Sequence, residues 1–185
     1  MGNVRPDIRI KVCRLESEER RRFEAIVLPH LDAAYNLARW LSRDEHATED
    51  LVQEALYRAA RYFGSFNGTD ARPWLLGIIR RATYDWSKSR GTAISLDLDF
   101  HDAEDVSQNP ELIAVTECRQ EDVRRALEAL PVPLREVMIL REVECLSYQQ
   151  IADVIDSPVG TVMSRLSRGR QQLQVLLTSA MDAEK

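Results

Sequence analysis

Thr161, Ser164, Arg165 and Arg168 lie three, one and three residues apart in sequence. On a helix that spacing gathers small and basic side chains on one face, provided Val162, Leu166 and Leu173 are buried on the other. Such a face suits the major groove of DNA, where an arginine grips a guanine edge or a phosphate. A second basic set, Arg72, Arg80, Arg81, Lys88 and Arg90, is opposed within residues 72–90 by Asp85 alone. Bond-making chemistry finds no comparable support. Cys13, Cys118 and Cys145 are far apart, and His30, His46 and His101 complete no metal-ligand spacing. The thiols read as reduced cysteines of a cytosolic chain. With no nucleophile–base pair, metal cluster or glycine-rich phosphate loop, the sequence points to no enzyme, no metal and no cofactor.

The net charge of −5 argues at first against a polyanionic partner. Its distribution reverses that argument. Residues 159–177 carry Arg165, Arg168 and Arg170 with no acid, whereas 91–122 hold nine acids against Arg119. Two basic islands flank an acidic connector, and local charge decides where a polyanion docks. No apolar run is long enough to cross a bilayer. Residues 1–22 contain no apolar core of a signal peptide, so a cytoplasmic chain without membrane insertion is expected.

The elements that must position these residues read as helices throughout. Phe23, Ile26, Val27, Leu31, Ala34, Leu37, Ala38 and Leu41 form a helical stripe over 20–42, which Pro29 should kink or break. A second helix is expected over 48–63, capped by Thr48. Residues 64–70 form a loop. A third helix begins at Pro73 and runs to about Ser89, burying Trp74, Leu75, Ile78, Ala82 and Trp86. Residues 92–115 have weak periodicity, many acids and Pro110, and read as a linker with room for a short helix near its end. Helical signals resume over 117–130 and 134–143. The sharpest signal is residues 147–170. Ser147 and Gln150 make a capping box, Ile151, Ala152 and Ile155 give a short helix its apolar face, and Asp156-Ser157-Pro158 makes a tight turn into a second helix over 159–177. That is a helix-turn-helix. The fold class is all-α, two helical domains joined by an acidic linker.

Within the helix expected over 48–63, Leu51, Val52, Ala55, Leu56 and Ala59 point inward, and Asp50, Gln53, Glu54 and Tyr57 share the outer face. Taken with the motifs C-terminal to it, this segment resembles the sigma factors of RNA polymerase. Asp50–Glu54 is similar to the core of region 2.2, and Arg72-Pro73-Trp74-Leu75-Leu76-Gly77-Ile78 to the start of the region 2.3–2.4 helix. Ala129-Leu130-Pro131, Leu134-Arg135-Glu136-Val137 and Leu146–Ala152 resemble region 4 of the small extracytoplasmic-function type, continued by Pro158–Val162 and Ser164-Arg165-Leu166. The resemblance divides the chain into an extension at 1–22, region 2 at 23–91, an acidic linker at 92–118 and region 4 at 119–180.

The resemblance implies a protein that binds core RNA polymerase and directs promoter recognition, DNA melting and transcription initiation. Asp50, Gln53 and Glu54 would meet the clamp helices of the β′ subunit, and the β subunit is a further partner. Phe66, Asn67, Arg80, Arg81, Tyr84 and Lys88 would open the −10 element and hold a flipped base. Thr161, Ser164, Arg165 and Arg168 would read the −35 duplex, and the acidic linker would thread a polymerase channel. An anti-sigma factor is an implied partner. Arg81 stands where family members often have Asn, and Met163 where Arg is common. The alternative is a stand-alone helix-turn-helix regulator with a sensing or dimerising N-terminal domain; such a protein needs neither the Asp50–Glu54 face nor the basic 72–90 helix.

Overall fold

Aspartates start the two longest helices of the N-terminal half. Asp44 accepts a hydrogen bond from the Ala47 amide (3.0 Å), and Asp70 accepts one from Arg72 (3.0 Å). Each satisfies an amide that the first helical turn leaves unpaired. In the computed structural model, which describes residues 17–91 and 120–183, these caps open α3 (Glu45–Tyr62) and α4 (Ala71–Ser89). Before them come α1 (Ser17–Val27) and α2 (Leu31–Ser42), separated by a 3-10 turn with Pro29 in it. The break expected at Pro29 is therefore present. Two starts differ from expectation. Thr48 is not a cap; it is buried one turn inside α3, donating its hydroxyl to the Asp44 carbonyl (2.8 Å). Pro73 is the third residue of α4 rather than its first. Gly91, at φ +70°, closes α4 in a conformation that other residues rarely adopt.

The C-terminal half comprises α5 (Gln120–Ala129), α6 (Val132–Met138), α7 (Tyr148–Ile155) and α8 (Val159–Ala183). The helix expected over 134–143 does not stay α-helical: it widens into a π turn at Ile139–Val143. That turn feeds Cys145, at φ +52°, and brings the Glu144 side chain inward. Ser147 and Gln150 form the expected capping box on α7, and Asp156, in the left-handed region, ends it. α8 continues past 177 to Ala183. The extension as far as residue 16, the linker over 92–118, and Cys13, Cys118 and His101 lie outside the described residues.

Core formation follows the stripes. Phe23, Val27, Ala34, Leu37 and Ala38 pack against Val52, Ala55, Leu56, Leu75 and Ile79; Val137, Ile139, Leu140, Ile151, Val162 and Leu166 form the matching centre of the second half. Trp74 and Trp86 are half-buried against this apolar mass, in line with a packing role. The two halves join into a single apolar cluster, with α4 laid along α7 and α2 along α6. Among the described residues there is no strand, and no helix is long and apolar enough to cross a membrane.

Candidate nucleic-acid interface

The second helix of the helix-turn-helix, α8, is seated by its neighbours. Val162 and Leu166 are fully buried, and Gly169 lies against α6 so closely that a β-carbon there would sit 2.9 Å from Met138 Cγ. This seating leaves Ser164 and Met163 exposed, with Thr161 and Arg168 half-buried. Arg165 departs from the expected exposed face. Its guanidinium turns inward, and Nε and Nη1 are buried without a hydrogen-bond partner. The period of α8 alone puts Arg165 outside; its guanidinium instead lies within electrostatic reach of an acid on another helix.

That acid is Glu136 of α6, whose side chain has no solvent exposure. Burial pushes its pKa up, and the nearby Arg80 and Arg165 charges pull it down. Glu136 Oε1 accepts from Arg80 Nε (2.7 Å), and Oε2 from the Tyr84 hydroxyl (3.3 Å). Arg80 also lies 4.6 Å from the centre of the Tyr84 ring. Two of the six residues expected at the −10 element are thus engaged by the other half of the chain. A third, Phe66, is buried, its ring 4.8 Å from that of Trp74 and stacked on Phe63. It supports the loop rather than facing solvent. Asn67, Arg81 and Lys88 are exposed.

Further polar contacts bridge the halves, and sequence reasoning missed them. Arg72 pairs with the buried Glu144, which also accepts from Asn36 (3.4 Å). Asp70 Oδ2 accepts from Gln150 Nε2 (2.9 Å), so the caps of α4 and α7 are linked by one hydrogen bond. Arg81 and Asp156 approach to 3.9 Å at the surface. Arg135 donates to the carbonyls of Leu127, Glu128 and Leu130 and, across the halves, to Trp40 (3.0 Å). Burial chiefly, then the like charge of Arg43, lowers the Arg135 pKa to about 10, so it stays charged at neutral pH. The only advance signal was the Arg135-Glu136 pair within the region 4 resemblance.

On α3, Asp50, Gln53 and Glu54 are exposed as expected, beside an exposed Tyr57. Glu54 is held by Arg58 (2.7 Å), which also reaches Asp85 on α4 (2.8 Å). Among the described residues no group of His, Cys, Asp or Glu could hold a metal ion.

Residues 26–93 match the family model for sigma-70 region 2, and residues 120–173 that for sigma-70 region 4. The ECF RNA polymerase sigma-E factor of Escherichia coli strain K12 is 31% identical over 175 residues, covering 89% of this chain and 91% of that one. The chain belongs to the extracytoplasmic-function sigma factors. The stand-alone regulator reading falls with this, because it leaves the region 2 match unexplained. Another sigma factor, SigE of Mycolicibacterium smegmatis, is 35% identical over 156 residues; the alignment takes in 82% of this chain and 60% of that longer relative. Among solved structures, the sigma factor RpoE of Bartonella quintana, in complex with the anti-sigma factor NepR, is 32% identical with a TM-score of 0.67, covering 85% of this chain and 98% of that one. CnrH, in complex with the cytosolic domain of CnrY, shares the fold at a TM-score of 0.61 and 21% identity. The two basic islands and the α3 face of this sigma factor thus fall in the two matched regions.

Proposed function

We propose that this sigma factor docks on core RNA polymerase through the outer face of α3 and directs it to promoters. One observation carries the reading: an exposed Asp50/Gln53/Glu54 face and a capped helix-turn-helix occur in one chain, one in each matched region. Asp50, Gln53 and Glu54 contact the β′ clamp helices. Asn67, Arg81 and Lys88, accessible as they stand, approach the −10 strand, and Arg80 and Tyr84 join them once freed from Glu136. Thr161, Ser164 and Arg168 face the −35 duplex, with Arg165 behind them. Synthesis belongs to the polymerase, and the sigma factor carries out no catalysis. It works in the cytoplasm, where core enzyme and promoter DNA are. The anti-sigma factor bound to the Bartonella relative supports a partner of the same class here.

Transcription by core enzyme plus this chain on a promoter library, with sequencing of transcript starts, tests the reading. A defined −35/−10 consensus is the expected result, and random starts would remove it. Replacing Asn67 or Arg81 by Ala should lower permanganate-reactive open complex by about tenfold, roughly 1.4 kcal/mol, with core binding retained. Equal footprints would move the −10 site elsewhere.

A further inference from the structure

Burial of Val162 and Leu166 leaves Gly160, Met163, Ser164 and Ser167 exposed on the leading turns of α8. None of the four carries a charge. The neighbouring Arg165 has Nε and Nη1 buried. The Ser164 hydroxyl donates to the Thr161 carbonyl (3.0 Å), so its one proton is spent within the helix and its oxygen is left to accept. Two features set Met163 apart. It is the one large apolar side chain of the four, and it is 48% exposed. Gly160, one turn before it, has open space where a β-carbon would sit. Helical side chains lean toward the N-terminus, over the preceding turn. The thioether of Met163 therefore lies over a turn bare of side chain, near the end of the helix that reaches base edges in a major groove.

The major-groove edges of guanine, adenine and cytosine present hydrogen-bonding groups, and thymine alone adds an apolar one, its C5 methyl. Pressed against a donor or acceptor, a methionine displaces water and returns no strong hydrogen bond. Against a methyl it takes two apolar surfaces out of water at once. Its unbranched, polarisable thioether also adapts to small differences in depth. We propose that Met163 is a specificity-determining residue of the −35 contact and that it selects thymine, its Sδ–Cε end packing on the C5 methyl. The inference rests on the promoter-reading assignment above. It adds a base preference that Thr161, Ser164 and Arg168 leave open, and it makes the uncharged residue at 163 a source of selection rather than a lost phosphate contact.

The test uses holoenzyme, the full chain bound to core RNA polymerase, on promoter fragments whose −35 element comes from the transcript-start selection. Each −35 thymine, on either strand, is replaced in turn by deoxyuridine, which lacks only the C5 methyl. Affinity is read by competition against the unmodified fragment. With the wild-type chain one replacement should weaken binding by about fourfold, the worth of one buried methyl, roughly 0.8 kcal/mol. With Met163→Ala the thymine and deoxyuridine fragments should bind alike, both near the wild-type level on deoxyuridine. Met163→Leu, with a similar apolar reach, should keep most of the difference. Residue 163 is exposed, so these substitutions leave the fold intact. A −35 element without thymine, one in which no deoxyuridine replacement matters, or a methyl effect that persists in Met163→Ala overturns the inference and leaves the promoter reading standing. Absence of any −35 preference removes both.

Discussion

Asp50 and Glu54 share the outer face of α3 but differ in freedom. Glu54 is tied to Arg58, and through it to Asp85 on α4, whereas Asp50 has no such tie. Asp50→Lys should therefore leave thermal stability within about 0.5 kcal/mol, as surface changes usually do, while core-polymerase affinity in a titrated pull-down falls about tenfold, roughly 1.4 kcal/mol. Unchanged affinity would take the α3 face out of the polymerase interface. Arg135 is the opposite kind of residue, with a buried charge spread over four carbonyls. Arg135→Met takes the donor from those carbonyls, of which only that of Leu127 keeps another, the Leu130 amide, and should cost about 2–4 kcal/mol in chemical denaturation. A loss below about 0.5 kcal/mol would mean that solvent replaces the guanidinium. The exposed acids of α3 were legible because helical period alone sorts inside from outside. Arg165 was not, because its guanidinium is buried by neighbouring helices that the period of α8 cannot reveal.

Elements were legible where one local signal sufficed. The capping box of α7 is written in Ser147 and Gln150, and both form the expected bonds. The start of α3 was harder, since Asp44 and Thr48 are both good caps. Burial decides it: Ala47 and Thr48 lie in the core, so the helix extends one turn further to cover them. The π turn at Ile139–Val143 has no signature in composition; it ends at Glu144, whose side chain turns inward to Arg72. The placement of α8 rests on Gly169. Gly169→Val should overpack the contact with Met138 and cost about 1–3 kcal/mol. Met138→Ala in the same chain should return part of that loss, since neighbouring substitutions couple. Strict additivity in urea melts would show that α8 sits elsewhere.

At the scale of the whole molecule, the order of the motifs made two helical domains legible, and the family match agrees with it. Their packing was not legible. The contacts between Arg72 and Glu144, Arg80 and Glu136, and Asp70 and Gln150 join residues far apart in sequence. No local pattern marks such pairs. Their consequence reaches solution behaviour. Three arginines of α4, namely Arg72, Arg80 and Arg81, each already face an acid of the other half. A phosphate that engages them competes with those acids. DNA sheds counterions as it binds, but acids left uncovered gather cations back. The slope of log affinity against log salt should then fall short of about 0.9 per phosphate contacted, and Arg72→Ala should change it by well under one such step. A full step per arginine, measured by fluorescence anisotropy across salt concentrations, would mean that these cations stand ready for DNA in the free protein. Within that accounting, the internal acids act as built-in counterions, setting how strongly the ionic strength of the medium governs the grip of this chain on DNA.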